Sequence, residues 1–295
     1  MKAGVIGLGD MGSGLAKNLI KNGFETHGYD IDKKRNVAFR DAGGQLEAHA
    51  QGVGLHADAV FVMVMNGDEV NEVVFGDNGL VKSLKPGSAI MLSATIKSSE
   101  ARKLGQDLHG SGIHLIDTPV SGGFPGAQNG TLTMMAAAPQ STLQQFQPVM
   151  EAVSANIHHV GTEAGMGQTV KACLQSLIGS IFSATFEASV LAAKAGVSGQ
   201  VLYDVFSTSG AGCGITNTSL ESIIDRKFEG TGSQITTMHK DLTISLAMAQ
   251  ELGVPLHTAA TAMQLFHAGK TKYPDGDNQV VTRVIEEIVG AKLHR

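Results

Sequence analysis

Through its first half the chain alternates short apolar runs with polar, charge-bearing stretches, and each alternation predicts a strand followed by a helix. AGVIGL (3–8) reads as a first strand, with a helical stretch after it to about Lys21; FETHGYD (24–30) reads as a second, with a charged helix through Lys33 to Asp41. ADAVFVMVM (57–65) is a continuous apolar run of the kind a strand buried on both faces carries. The turn Lys85-Pro86-Gly87 leads into SAIMLS, then a polar helix from Ser98 to His109, then the run IHLIDTPV. Strands and helices alternating at these lengths predict a parallel, doubly wound α/β sheet, with TLTMMAAA (131–138) and NIHHV (156–160) adding strands at its far edge.

After Gly161 the strand pattern stops. Helical segments are expected at 167–195, 199–208, 216–226, 236–252 and 256–268, with GVP (253–255) as a stop signal. A chain of 295 residues allows one to three domains; the change of pattern predicts two, 1–163 and 164–295, the second all-helical. At the head of its first helix stands Lys171, followed by ACLQSLIGSIFSATF with no charged residue before Glu187. Lys171 and Gln175, four apart, share a helix face, so a cation and an amide project together from a segment that otherwise avoids charge. Such a lysine either snorkels at a helix start or has a task. Gln175, Ser176, Ser180, Ser183, Thr185 and Glu187 break the run below the length of a clean membrane span, so it reads as the core helix of a soluble protein, expected to be cytoplasmic from its reduced-thiol cysteine pattern and to have no membrane partner.

Lys plus Arg 22 against Asp plus Glu 27 gives 22 − 27 = −5, so no basic field exists to hold nucleic acid. Cys173 and Cys213 form no C-x-x-C pair, which fits reduced thiols and no metal site. The 37 glycines are about 12.5% of the chain, against ~7% in ordinary proteins, and many fall where strands end, as ligand loops would require.

The first of those loops carries chemistry. Gly7-Leu8-Gly9-Asp10-Met11-Gly12 is G-x-G-x-x-G directly after a strand and at the entry to a helix, where glycines let a pyrophosphate approach the backbone and the helix N-terminus faces the anion. The acidic residue expected ~20 positions on, to hold the ribose hydroxyls, is Asp30, with Ile31 behind it. A carboxylate there disfavours a 2′-phosphate, so NAD is expected over NADP, with Lys33, Lys34 and Arg35 softening the preference. The first domain is thus expected to be a Rossmann-type dinucleotide-binding domain. DTPVSGGFPGAQNGTLT (117–133) offers Ser121, Gly122 and Gly123 just past a strand's carboxyl end, a nest suited to a carboxylate or else a flexible loop. In TTMHKDL (236–242), Lys240 and Asp241 open a helix, by default as a solvated ion pair.

GLGDMG at the front, DTPVSGG after the fifth strand, G-x-G-x-x-x-K at 165–171 and KDL at 240–242 occur in order at fitting separations. Together they make the chain resemble, over nearly its whole length, the β-hydroxyacid dehydrogenase family, which includes 3-hydroxyisobutyrate, tartronate semialdehyde and threonate dehydrogenases. The resemblance implies that Lys171 is catalytic, that Ser121, Gly122 and Gly123 hold the substrate carboxylate, and that Met65, Asn66 and Thr95 line the nicotinamide side. It implies too that Lys240 closes over cofactor and substrate, and that the helical domain binds substrate and builds a homodimer or homotetramer, its long first helix buried between domains and in the oligomer interface. The substrate implied is a small hydroxy acid or its oxo partner. Many members carry Asn where this chain has Gln175, which together with FGDNGLVKSLKPGSAIMLSATI looks most like the threonate branch, whose substrates are four-carbon sugar acids. A non-catalytic redox sensor, or a reductase of glyoxylate or succinic semialdehyde type, is the alternative. For alcohol oxidation Lys171 must be neutral; burial and a second cation such as Lys240 both act in that direction.

Overall fold

Every apolar run of the first half becomes a short strand. The computed structural model describes residues 1–295, and packing separates two units, Met1–Lys171 and Ala172–Arg295. The first unit opens with β1 (Ala3–Ile6), α1 (Asp10–Lys21), β2 (Thr26–Tyr29), α2 (Lys33–Asp41), β3 (Gln45–Leu46), α3 (Ala50–His56), β4 (Ala59–Val62) and α4 (Gly67–Phe75). It continues with β5 (Ala89–Leu92), α5 (Ser98–Asp107), β6 (His114–Asp117), β7 (Val120–Ser121), α6 (Gly123–Asn129), β8 (Leu132–Ala137), α7 (Gln140–Glu151) and β9 (Ser154–Gly161). The division falls within α8 (Met166–Lys194).

The strands form a sheet in the order β3-β2-β1-β4-β5-β6-β8-β7, with β9 beside β8. From β3 to β6 all pairs are parallel. The continuous apolar runs reflect burial on both faces: Phe61 and Met91 join one core with Leu15, Leu19 and Phe146, while Val60, Val62, Ile90 and Leu92 join the other with Val53, Val70, Val74 and Leu104. The far edge is mixed: β8 runs antiparallel to β6 and β7, and parallel to β9. The segment around Ser121 to Gly123, read from sequence as a nest or a flexible loop, is ordered as the end of β7 and the start of α6. Successive left-handed glycines, Gly122 at φ 128° and Gly123 at φ 58°, turn the chain from one into the other.

The second unit holds the rest of α8 with α9 (Gly199–Thr208), α10 (Gly214–Ile224), α11 (Ile235–Leu252), α12 (His257–Lys272) and α13 (Val281–Val289). Its core is aromatic: Phe182 and Phe186 of α8 and Phe266 of α12 pack with ring centroids 5.7 to 6.3 Å apart. By length and composition α8 could cross a membrane, but its Phe182, Phe186 and Val190 are buried in this unit. Gly179 lets it approach α11 so closely that a Cβ there would stand 2.7 Å from Leu242. The chain's last helix, α13, is fastened by the two-pronged Arg226–Glu286 pair at 2.6 and 2.8 Å.

Candidate active site

Because β1, β2, β4, β5 and β6 are parallel, the loops that follow them share one edge of the sheet. Strand order runs outward from β1 in both directions, so the switch point lies between β1 and β4, the place where ligands bind in doubly wound sheets. Gly7, with φ 87°, turns sharply off β1; a Cβ there would collide with the Met63 carbonyl, and one on Gly12 with the Gly7 carbonyl. Gly9 precedes α1 without a side-chain cap, so Asp10, Met11 and Gly12 begin the helix with N–H groups turned to whatever anion arrives. The cradle fits a dinucleotide pyrophosphate.

Asp30 is buried, and its carboxylate accepts from the Leu8 N–H at 2.6 Å and the Asp32 N–H at 2.8 Å, with Arg35 Nη1 at 3.4 Å. It therefore ties the glycine loop to the end of β2. The neighbouring Ile31 is 88% exposed. Met65, half exposed, and Asn66 follow β4; Asn66 caps α4 by accepting the Glu69 N–H at 2.9 Å. Thr95 follows β5, half-buried, and Ser121 ends β7 with Gly122 and Gly123 exposed beyond it.

Two residues given no role in the sequence reading bind these strand ends together. Asp117, at the end of β6 and fully buried, accepts the Gly165 and Gln168 N–H groups at the start of α8 at 2.8 and 3.2 Å. Gln168 Nε2 donates to Asp117 Oδ1 at 2.9 Å and to the Ala94 carbonyl at 3.0 Å, while its Oε1 accepts the Ile96 N–H at 3.1 Å. Burial pushes the Asp117 carboxyl up to about 6, against hydrogen bonds from Gln168 and Gly165 that pull it down. Lys171 follows one turn later on α8 and is 6% exposed. Only the short spacing from Gln168 to Lys171 hints at this arrangement in the sequence. An open groove of about 1000 Å³ lined by Arg102, His109, His114 and Glu163 shares no residue with the glycine loop, and we do not place the chemistry there.

In the second unit, Gln175 Nε2 donates to Asp241 Oδ2 at 2.5 Å, and Lys240 Nζ lies 3.2 Å from Asp241 Oδ1. Ser245 adds a bond to the Ala172 carbonyl at 2.8 Å. The structure thus gathers Gln175, Lys240 and Asp241 into one cluster between α8 and α11, with Gln175 and Asp241 buried and the Lys240 side chain 24% exposed, in place of a fully solvated Lys-Asp pair.

The family model for the NAD binding domain of 6-phosphogluconate dehydrogenase matches residues 2–161. That for the NAD-binding region of NADP-dependent 3-hydroxyisobutyrate dehydrogenase matches 165–285. L-threonate dehydrogenase of Escherichia coli O6:H1 is 34% identical, covering 98% of this chain and 97% of its own length. 2-(Hydroxymethyl)glutarate dehydrogenase of Eubacterium barkeri is 30% identical, covering 99% and 97%. The crystal structure of a 3-hydroxyisobutyrate dehydrogenase from Salmonella typhimurium matches with TM-score 0.88 at 30% identity, over 96% of this chain and 99% of that one.

Proposed function

This chain belongs to the β-hydroxyacid dehydrogenase family, and on that premise we propose that it oxidises a small, threonate-like four-carbon hydroxy acid with NAD, using Lys171 as the proton relay. The observation that carries the proposal is Lys171 itself, a buried lysine held one turn beyond the Asp117 anchor in a chain with a dinucleotide cradle. When bound, nicotinamide supplies the hydride acceptor. Lys171 Nζ takes the hydroxyl proton as the carbonyl forms and returns it in the reverse direction. Ser121 Oγ, with the backbone at Gly122 and Gly123, holds the substrate carboxylate, and Gln175 and Lys240 add polar contacts. A 3-hydroxyisobutyrate-like acid is the second candidate substrate, supported by the Salmonella likeness. A sensor without catalysis is disfavoured because Lys171, Ser121 and Lys240 all occur in one chain.

For the cofactor, Gly7 to Gly12 would cradle the pyrophosphate, Asp30 and Ile31 would meet the adenosine ribose, Met65, Asn66 and Thr95 would stand on the nicotinamide side, and Lys240 would close over it. Asp30 supports NAD, while Arg35 beside it is the group that would tolerate NADP. We place the functional division at 163/164, and the protein in the cytoplasm.

NADH formation should be measured with a panel of four-carbon sugar acids and branched hydroxy acids. We expect the sugar acids to lead, and kcat/KM to favour NAD over NADP by about tenfold or more, roughly 1.4 kcal/mol; equal use of both cofactors would refute the preference. Lys171→Ala should lower kcat by about 10² to 10⁴ while NAD affinity stays near wild type. A folded Lys171→Ala enzyme keeping more than about a tenth of kcat would remove Lys171 from the relay.

A further inference from the structure

We infer that Asp117 and Gln168 are positioning residues for the reaction, a buried carboxylate–amide clamp that sets where Lys171 stands. The inference rests on the reading of Lys171 as proton relay.

The clamp joins the start of α8 to two strand ends. Asp117 Oδ2 takes two backbone N–H groups of the helix entry, at Gly165 and Gln168, and so acts as an N-terminal cap supplied by another element. The Gln168 side chain then braces the same turn against the end of β5, donating to the Ala94 carbonyl and accepting from the Ile96 N–H on either side of Thr95. Its third bond, to Asp117 Oδ1, locks the amide orientation, because only one assignment of oxygen and nitrogen satisfies all partners. Asp117 and Gln168 are 0% and 1% exposed, so water offers little substitute for a lost bond.

Steric fit removes the remaining freedom. A Cβ on Gly167 would stand 3.0 Å from the Asp117 Cγ and 2.6 Å from the Met135 carbonyl, and Gly165 adopts φ 92°. The helix start thus packs its backbone directly against the end of β6 and against β8. Lys171 follows Gln168 by three residues, on the adjoining turn of the same face. Its Nζ is carried on a flexible stem, and the clamp fixes the base of that stem. A structural network could sit anywhere in the core. This one joins the ends of β5 and β6 to the turn before Lys171, where a misplacement of ~1 Å can cost about 10² in rate.

The test uses Gln168→Met, which keeps chain length but removes the amide and leaves both backbone bonds to Asp117 in place, and Asp117→Asn, which puts an N–H₂ group among N–H donors. Each is made in the wild-type and Lys171→Ala backgrounds, with folding checked by circular dichroism. We expect either substitution to lower kcat about 10- to 100-fold with NAD affinity unchanged. In the Lys171→Ala background the further loss should be about twofold or less, because the group being positioned is gone. A loss that multiplies fully with that of Lys171→Ala, or a Gln168→Met enzyme within about twofold of wild-type kcat, overturns the inference. If Asp117→Asn fails to fold, Gln168→Met decides alone. Failure of the relay reading shows separately, as retained activity in Lys171→Ala itself.

Discussion

At Asp117, burial and hydrogen bonding pull in opposite directions, and burial wins: the carboxyl titrates at about 6 in the fold against 3.8 unperturbed. Between those values the folded chain binds more protons than the unfolded one, so stability contributed by this group is fully present below about pH 4 and is lost as pH rises through about 6. The difference of roughly two units corresponds to about 3 kcal/mol. Asp117→Asn, which does not titrate, should therefore gain on wild type by up to that amount between about pH 3.5 and 7, read as the change in the difference of unfolding free energies. A difference constant across the range would contradict it. Residues of this kind were the hardest to read from sequence. Gly7, Gly12, Asp30 and Lys171 announce themselves by motif, spacing or an unexpected charge. The Asp117–Gln168 bond joins residues 51 apart, and Gln175–Asp241 residues 66 apart; neither leaves a local pattern. Asp30 is expected from its spacing to hold the ribose, and in the structure its carboxylate accepts the Leu8 N–H, a contact the spacing does not announce.

At the scale of elements, the strands of four or more residues were legible because burial on both faces writes an uninterrupted apolar run, and α1, α2, α5 and α8 to α12 because a helical period or a polar run marks them. The two-residue strands β3 and β7 were not, nor were the helices α3, α4, α6, α7 and α13. AQGVGLH of α3 has two glycines in seven residues, and GFPGAQN of α6 opens Gly-Phe-Pro-Gly, so propensity argues against helices that packing enforces. The enforcement for α6 is visible at α1: a Cβ on Gly14 would lie 2.6 Å from the Ala127 backbone, and Asn18 Nδ2 donates to the carbonyls of Gly14 and Ala127 at 2.8 Å each. Gly14→Ala would improve the intrinsic propensity of α1 but force the two helices apart. We expect a net destabilisation of about 1–3 kcal/mol, measured as a lowered urea midpoint with unchanged slope. A stabilised Gly14→Ala protein would mean that the close crossing is not what orders α6.

For the whole molecule, what matters is where the apolar surface goes. The second unit leaves Leu177 59%, Leu191 73%, Val201 54%, Val205 56% and Ile288 79% exposed. Scattered exposed hydrophobics need no explanation, but Leu177, Ala184 and Leu191 recur every seven residues on α8 and are all exposed, with Cys173 a turn before them. That spacing makes a stripe along one face of a 29-residue helix, broken only weakly by Glu187. Such a stripe is the surface on which the expected homo-oligomer would be built, a second copy of the chain covering it. We expect light scattering at micromolar concentration to give two or four times the 30.7 kDa chain mass. Leu177→Glu with Leu191→Glu should shift that mass toward one chain, because burying two carboxylates in an apolar seam costs more than the seam returns. The paired variant should keep its fold, since neither side chain enters the aromatic core around Phe182, Phe186 and Phe266. A monodisperse monomer for the unaltered chain would show instead that this stripe tolerates water, and with it the homo-oligomer expectation would fall.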